Sequence, residues 1–150
     1  MMPVCDICAY IIAGFCSETE EEHQDTISIM EYSKYDMSYM FFYSERPGTL
    51  AAKRYADDVP EAVKKRRLQE IVEVQNKLSL ASNQKDLGKT FKVLIEGNSK
   101  KSEQDWMGRN SQNKVIVFPK ETYNLQPGDY AWVKVTDCTQ ATLLGKITTA

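Results

Sequence analysis

Gly88 divides the chain into two hydrophobic patterns, and that division constrains the fold more than any other feature. Beyond it apolar residues recur at every second position. Phe91, Val93 and Ile95 alternate with Thr90, Lys92 and Leu94, and Ala131, Val133 and Val135 alternate with Trp132 and Lys134. A period of two belongs to strands with one face inside and one in water. Val115 to Phe118 is a β-branched and aromatic run, Trp106 and Met107 begin its partner, and Leu143 and Ile147 follow across Gly145. The breaks fall at Gly97, Asn110, Pro127-Gly128 and 138–140. Residues 88–150 are therefore expected to form an all-β, five-stranded, OB-like closed barrel. Closure removes the exposed edges that so small a sheet would otherwise present.

Within this part, Trp106 to Pro119 combines strand chemistry with nucleic-acid chemistry. It reads as a hairpin, with Asn110, Ser111 and Asn113 as turn residues and Arg109 and Lys114 flanking them. Two cations, two amides and a Trp at a hairpin tip suit a phosphate backbone and a stacked base. An ordinary solvated turn has the same composition, so both readings stand. Lys100-Lys101 forms a second place where bases gather without acids. The candidate RNA contacts are thus Lys100, Lys101, Trp106, Arg109, Asn110, Asn113 and Lys114.

Charge supports two units. The net charge of -2 conceals a split: residues 1–60 hold 11 acids and 4 bases, and residues 61–150 hold 10 acids and 15 bases. A basic second part is the candidate for a polyanionic partner.

The first part follows a different pattern. Residues 7–15 are almost continuously apolar, which suits a parallel strand buried on both faces. Ser17 with Glu20, and Thr19 with Glu22, both fit a capping box, so a helix follows, with Ile27 and Met30 on one face. His23 on that helix suits a packing or surface role rather than catalysis. A second strand spans Met37 to Tyr43 and ends in the turn-rich residues 44–49. One strand-helix-strand unit cannot cover a doubly buried sheet, so the chain is expected to begin inside a larger domain. Asp57, Asp58 and Pro60 announce a further helix, on which Leu68, Ile71, Val72, Gln75 and Leu78 recur to about Leu80. Its Lys64-Lys65-Arg66-Arg67 run reads as solvated charge or, less commonly, as a nucleic-acid contact. Polar residues 81–87 read as a linker.

Cysteines stand at 5, 8, 16 and 138. Cys5-x2-Cys8 has no second closely spaced pair and His23 is the only histidine, so no metal site is assigned. These spacings differ from the C-x3-C-x2-C run of a radical SAM cluster. The thiols fit a reducing, cytoplasmic setting, and no apolar run approaches the roughly 20 residues of a membrane span.

Several short motifs together resemble one family. Ile11-Ile12-Ala13-Gly14-Phe15, Ser17-Glu18-Thr19-Glu20-Glu21 and Tyr43-Ser44-Glu45-Arg46-Pro47-Gly48-Thr49 look like the end of the radical SAM barrel in the methylthiotransferases. Val93-Leu94-Ile95-Glu96-Gly97 with Ser99-Lys100-Lys101, then Gly108-Arg109, Asn113-Lys114-Val115 and Phe118-Pro119, resemble the TRAM pattern of the MiaB-type tRNA enzymes. The resemblance runs from about Ile11 to Ile147. It implies an α/β fragment at 1–56, the last strand-helix units of a radical SAM partial TIM barrel, then a connecting helix and linker at 57–87 and a TRAM domain at 88–150. By the same resemblance Gly14, Phe15, Glu18, Ser44 and Arg46 border the SAM and substrate cavity, at the strand ends where such barrels place their sites. Arg46-Pro47 resembles the tRNA-modifying branch. The implied function is tRNA binding within an enzyme that adds a methylthio group to isopentenylated adenosine beside the anticodon, with the tRNA anticodon stem-loop as partner. Rival readings are a free-standing RNA-binding TRAM protein, a relative acting on another tRNA base or a ribosomal protein, and a protein-interaction barrel. The family uses 4Fe-4S clusters and S-adenosylmethionine, but no cofactor and no catalytic residue is assigned to this stretch. It is expected to be inactive without the family's N-terminal domains.

Overall fold

The structure, a computed structural model, describes residues 5–120 and 124–148. Two compact units divide it, Asp6–Leu78 and the residues from Ser79 onward.

In the first unit, strands β1 (Cys8–Ala13) and β2 (Met37–Phe42) lie parallel, joined through helix α1 (Glu20–Ser33). Of the two possible capping boxes, Thr19 with Glu22 is the one formed: the Glu22 amide donates to Thr19 Oγ1 at 3.2 Å and the Thr19 amide to Glu22 Oε2 at 2.8 Å. Ser17 has φ 67° and donates its amide to Asp58 Oδ1 at 2.7 Å. A short helix α2 (Leu50–Arg54) follows, and then the long α3 (Glu61–Gln84). Ala13, Met30 and Ile71 form the buried centre, with Ile11, Ile27, Met40 and Leu68 packed around it.

Burial of β1 on both faces is not observed. Ala13 is buried, yet Tyr10 is 77% exposed and Ile12 57%. Their cross-strand neighbours Tyr39 and Phe41 are exposed as well, and the Tyr10 and Tyr39 rings stack at 4.8 Å. The physical reason is simple: within this unit the core cluster covers one face of a two-stranded sheet.

The basic run on α3 corrects a second expectation. Lys64 and Arg67 are each only 4% exposed. Arg67 donates to the Glu18 carbonyl and carboxylate, both at 2.9 Å, and to Glu20 at 3.1 Å. Lys64 pairs with Asp57, Lys65 with Glu61, and Arg66 with Glu20 and Glu70. Lys64 and Arg67 are therefore buried and ion-paired rather than solvated, whereas Lys65 and Arg66 pair at the surface with side chains 60% and 46% exposed.

Helix α3 also continues through Gln84, past the expected end near Leu80. Its last turn, in the second unit, is polar because its side chains hold that unit: Asn83 Nδ2 donates to the Thr139 carbonyl at 2.9 Å, and Ser82 Oγ receives Lys114 Nζ at 2.9 Å.

The second unit is a closed barrel of β3 (Thr90–Ser99), β4 (Ser102–Arg109), β5 (Val115–Pro119), β6 (Tyr130–Cys138) and β7 (Leu143–Ile147). The order around it is β3-β4-β5-β7-β6, with every pair antiparallel except β5 with β7. Val93, Ile95, Ile116, Phe118, Val133, Val135 and Leu143 fill the interior at 1% exposure or less. These are the alternating positions of the sequence. Register shifts after Ile95 and after Val135 supply the bends that a tight barrel needs.

Candidate nucleic-acid interface

Strands β4 and β5 form the expected hairpin, with Trp106 opposite Phe118 and Arg109 opposite Val115. Its turn is built by side chains. Asn110, only 7% exposed, accepts the amides of Gln112 at 3.1 Å and Lys114 at 2.9 Å on Oδ1. Asn113 adopts φ 64°, a left-handed conformation that Asn tolerates better than most residues. Arg109 donates to the Asn113 carbonyl at 3.0 Å and to Glu96 at 3.3 Å.

Lys114 does not face outward. Its ammonium lies 2.7 Å from Asp86 Oδ2, with the two side chains 12% and 4% exposed. Burial alone would raise the Asp86 pKa, but hydrogen bonds from Lys114 and Lys89 outweigh it and hold the carboxyl below its ordinary value. A depressed folded pKa stabilises the fold above the unfolded pKa, and that stabilisation is lost as pH falls through the folded value. Acid titration of the barrel, followed by Trp emission, is thus expected to show a stability loss below about pH 4 that Asp86→Asn removes.

Trp106 is likewise not at the hairpin tip. Three residue pairs separate it from the turn, it shares the inward face with Phe118, and its half-buried ring packs on the core. Lys120 Nζ rests 4.1 Å over that ring. The expected stacking side chain is therefore a wall of the core. Lys100 and Lys101 stand differently: both are exposed in the turn between β3 and β4. In OB-folds generally, the loop between the first two strands is one of those that bind oligonucleotides.

Sequence reasoning overlooked the outer face of β3 and β6. An open groove of about 660 Å³ is lined there by Lys92, Leu94, Tyr130 and Trp132, with Arg109 and Asn113 from the hairpin at one side. The signal was present in the alternation, since the same pattern that puts Ala131 and Val133 inside puts Tyr130 and Trp132 outside.

In the first unit, the five expected cavity residues separate. Ser44 and Arg46 line one groove of about 680 Å³ with Ile12, Phe41 and Leu68. Gly14 and Glu18 form a joint instead, the Gly14 amide donating to Glu18 Oε2 at 2.9 Å while Arg67 holds the other oxygen. Gly14 has φ 72°, and a Cβ there would lie 2.4 Å from Lys64 Cγ, so this residue admits the helix. Phe15 packs edge-on to Tyr43 and Tyr55.

Cys8 begins β1 and the buried Cys16 lies beyond its other end, roughly 20 Å along an extended strand. Among the described residues, the group with ligand atoms within 4.8 Å of one another is Glu20, His23 and Glu70. His23 Nε2 sits 2.7 Å from Glu70. Hydrogen bonding from Arg66 holds the Glu20 carboxyl down at about 2. The carboxylates already have guanidinium partners, so the group is an ion-pair network. No helix among the described residues is long and apolar enough to cross a membrane.

Comparison with known proteins places this geometry. Residues 84–148 match the TRAM domain, an RNA-binding domain. The chain is 61% identical over 145 residues to the tRNA-2-methylthio-N(6)-dimethylallyladenosine synthase of Amoebophilus asiaticus, covering 97% of this chain and 29% of that protein. It is 56% identical over 146 residues to the synthase of the same name from Christiangramia forsetii, covering 97% and 30%, and 49% identical over 146 residues to that of Porphyromonas gingivalis, covering 97% and 31%. The chain is thus similar over nearly its whole length to methylthiotransferases of that name. It spans about 30% of the length of these curated relatives and corresponds to the C-terminal, TRAM-bearing portion of the methylthiotransferases.

Proposed function

We propose that the chain is the tRNA-binding portion of a radical SAM methylthiotransferase that adds a methylthio group to isopentenylated adenosine next to the anticodon. Identity to synthases of that name across 97% of the chain is the observation that carries this reading. The parallel β1-α1-β2 unit supports assigning residues 1–56 to the end of a radical SAM barrel, 57–87 to a connection and 88–150 to the TRAM domain. Ser44 and Arg46 then border the SAM and substrate cavity directly, Phe15 lies at the same strand ends, and Gly14 and Glu18 set the loop between them. The cluster and SAM chemistry belong to the parent enzyme's other domains, in the cytoplasm, and this chain alone is inactive.

Lys100, Lys101, Arg109 and Asn113 are proposed to meet the phosphates of the anticodon stem-loop, while Asn110, Lys114 and Trp106 hold the hairpin that presents them. Lys100→Ala and Lys101→Ala are each expected to lower the slope of log affinity against log salt by roughly 0.7 to 0.9. Titrations of labelled anticodon stem-loop at several salt concentrations measure this. Salt-independent binding, or none, would overturn the reading. A reductive SAM cleavage activity after anaerobic loading with iron and sulfide would overturn the inactive assignment.

A further inference from the structure

We propose that the outer face of β3, β6 and β7 is a second RNA-binding surface, on which Trp132 and Tyr130 stack bases of a single-stranded segment. The inference rests on the tRNA-binding reading and adds to it a site separate from the Lys100-Lys101 turn.

The face is defined by register. Lys92 lies opposite Trp132, Leu94 opposite Tyr130, and Thr90 opposite Lys134, which in turn lies opposite Lys146. All of these alternate with the buried Val93, Ala131, Val133 and Val135, so they project from the barrel. Two large rings remain in water here, Tyr130 at 57% exposure and Trp132 at 41%. Lys92 Nζ stands 4.5 Å over the Tyr130 ring.

Folding does not account for this arrangement. Exposed aromatic rings give the barrel little burial, and like charges directly opposite on an antiparallel pair, as at Lys134 and Lys146, are destabilising. Both features suit a partner that is polyanionic and carries flat apolar rings. Three lysines line this face against two acids: Glu96, which is paired with Arg109, and Asp137, which lies opposite Leu144 toward the end of β6. A protein partner of matching acidity would satisfy the lysines but not the ring spacing of a shallow groove, whereas bases stack on exposed aromatic planes with cations beside them. Lys92 is about seven residues from the β3–β4 turn, roughly 20 Å along the strand. One strand of several nucleotides can therefore touch both places, within the usual site size of an OB-type barrel.

The test measures binding of the full chain to a labelled oligouridylate and to inorganic polyphosphate, which has the charge without the bases. Trp132→Leu and Tyr130→Leu are each expected to weaken oligouridylate binding by about 5- to 150-fold, with the salt slope unchanged. Trp132→Phe should retain most of the affinity, and polyphosphate binding should be the same in all variants. Both side chains face water, so thermal transitions should match the unaltered chain. Oligouridylate affinity unchanged in both leucine variants would overturn the platform and leave the tRNA-binding reading standing. A parallel loss for polyphosphate would also overturn it, because the rings would then be acting through the fold or the lysines. Failure of the unaltered chain to bind any RNA would overturn both.

Discussion

Lys114→Met is expected to destabilise the barrel by about 3 to 5 kcal/mol while leaving the salt dependence of RNA binding unchanged. Removing one member of a buried ion pair leaves the other charge uncompensated, and Asp86 is only 4% exposed. Lys89 keeps one hydrogen bond to Asp86 at 2.9 Å, which sets the loss toward the lower end. The unfolding signal is well isolated, because the chain's two Trp residues, Trp106 and Trp132, both lie in this unit. Urea unfolding followed by Trp emission measures the loss directly. Replacing both partners, Lys114→Met with Asp86→Leu, should recover much of it, since a well-packed apolar pair often equals a buried ion pair. An unchanged midpoint together with a salt slope lower by roughly 0.7 would show instead that Lys114 contacts phosphate.

That expectation reverses the role first suggested by the hairpin sequence, and the reason is general. A cation beside turn residues reads the same whether it meets a ligand or an acid from a distant part of the chain. Asp86 is 28 residues from Lys114, and nothing local to the hairpin announces it. Arg66 and Arg67 repeat the lesson: their partners Glu18 and Glu20 lie 46 to 49 residues away. Basic runs were legible as charge but not as pairing. Strands β3 and β6 were legible, because period-two burial is imposed by the pleat itself and their interior residues from Val93 to Val135 obey it.

Trp106 and Trp132 show how far that same periodicity reaches. Pairing with Phe118 puts Trp106 inside, a fact that requires the β4–β5 register and cannot be taken from β4 alone, where the apolar alternation is weak. Trp132 needed no register. Its neighbours Ala131 and Val133 assign it outward, next to Lys134 in sequence and Lys92 in space. The exposed face of β1 was not legible, because a run that is apolar at every position says only that both faces avoid water, not what covers each one.

Gly108→Ala is expected to cost about 3 kcal/mol, the upper end for overpacking, because the obstacle is backbone rather than a movable side chain. A Cβ built there lies 2.3 Å from the Leu94 carbonyl oxygen and 2.7 Å from Val93 Cγ1. Relief would require β3 and β4 to separate where Ile95 pairs with Gly108, and so would open the barrel wall beside its best-buried residues. Gly145 meets the Lys134 carbonyl at 2.6 Å in the same way, so Gly145→Ala should behave alike. Gly97 is the control. It stands in β3 with open space around the site of a Cβ, so Gly97→Ala should be neutral or slightly stabilising through lost backbone freedom in the unfolded chain. For a unit of this size 1 kcal/mol shifts the melting midpoint by roughly 4 to 8 °C, so Gly108→Ala should fall by about 12 °C or more in a thermal melt read by Trp emission. Equal midpoints for Gly97→Ala and Gly108→Ala would mean that β3 and β4 do not approach as closely as this register requires.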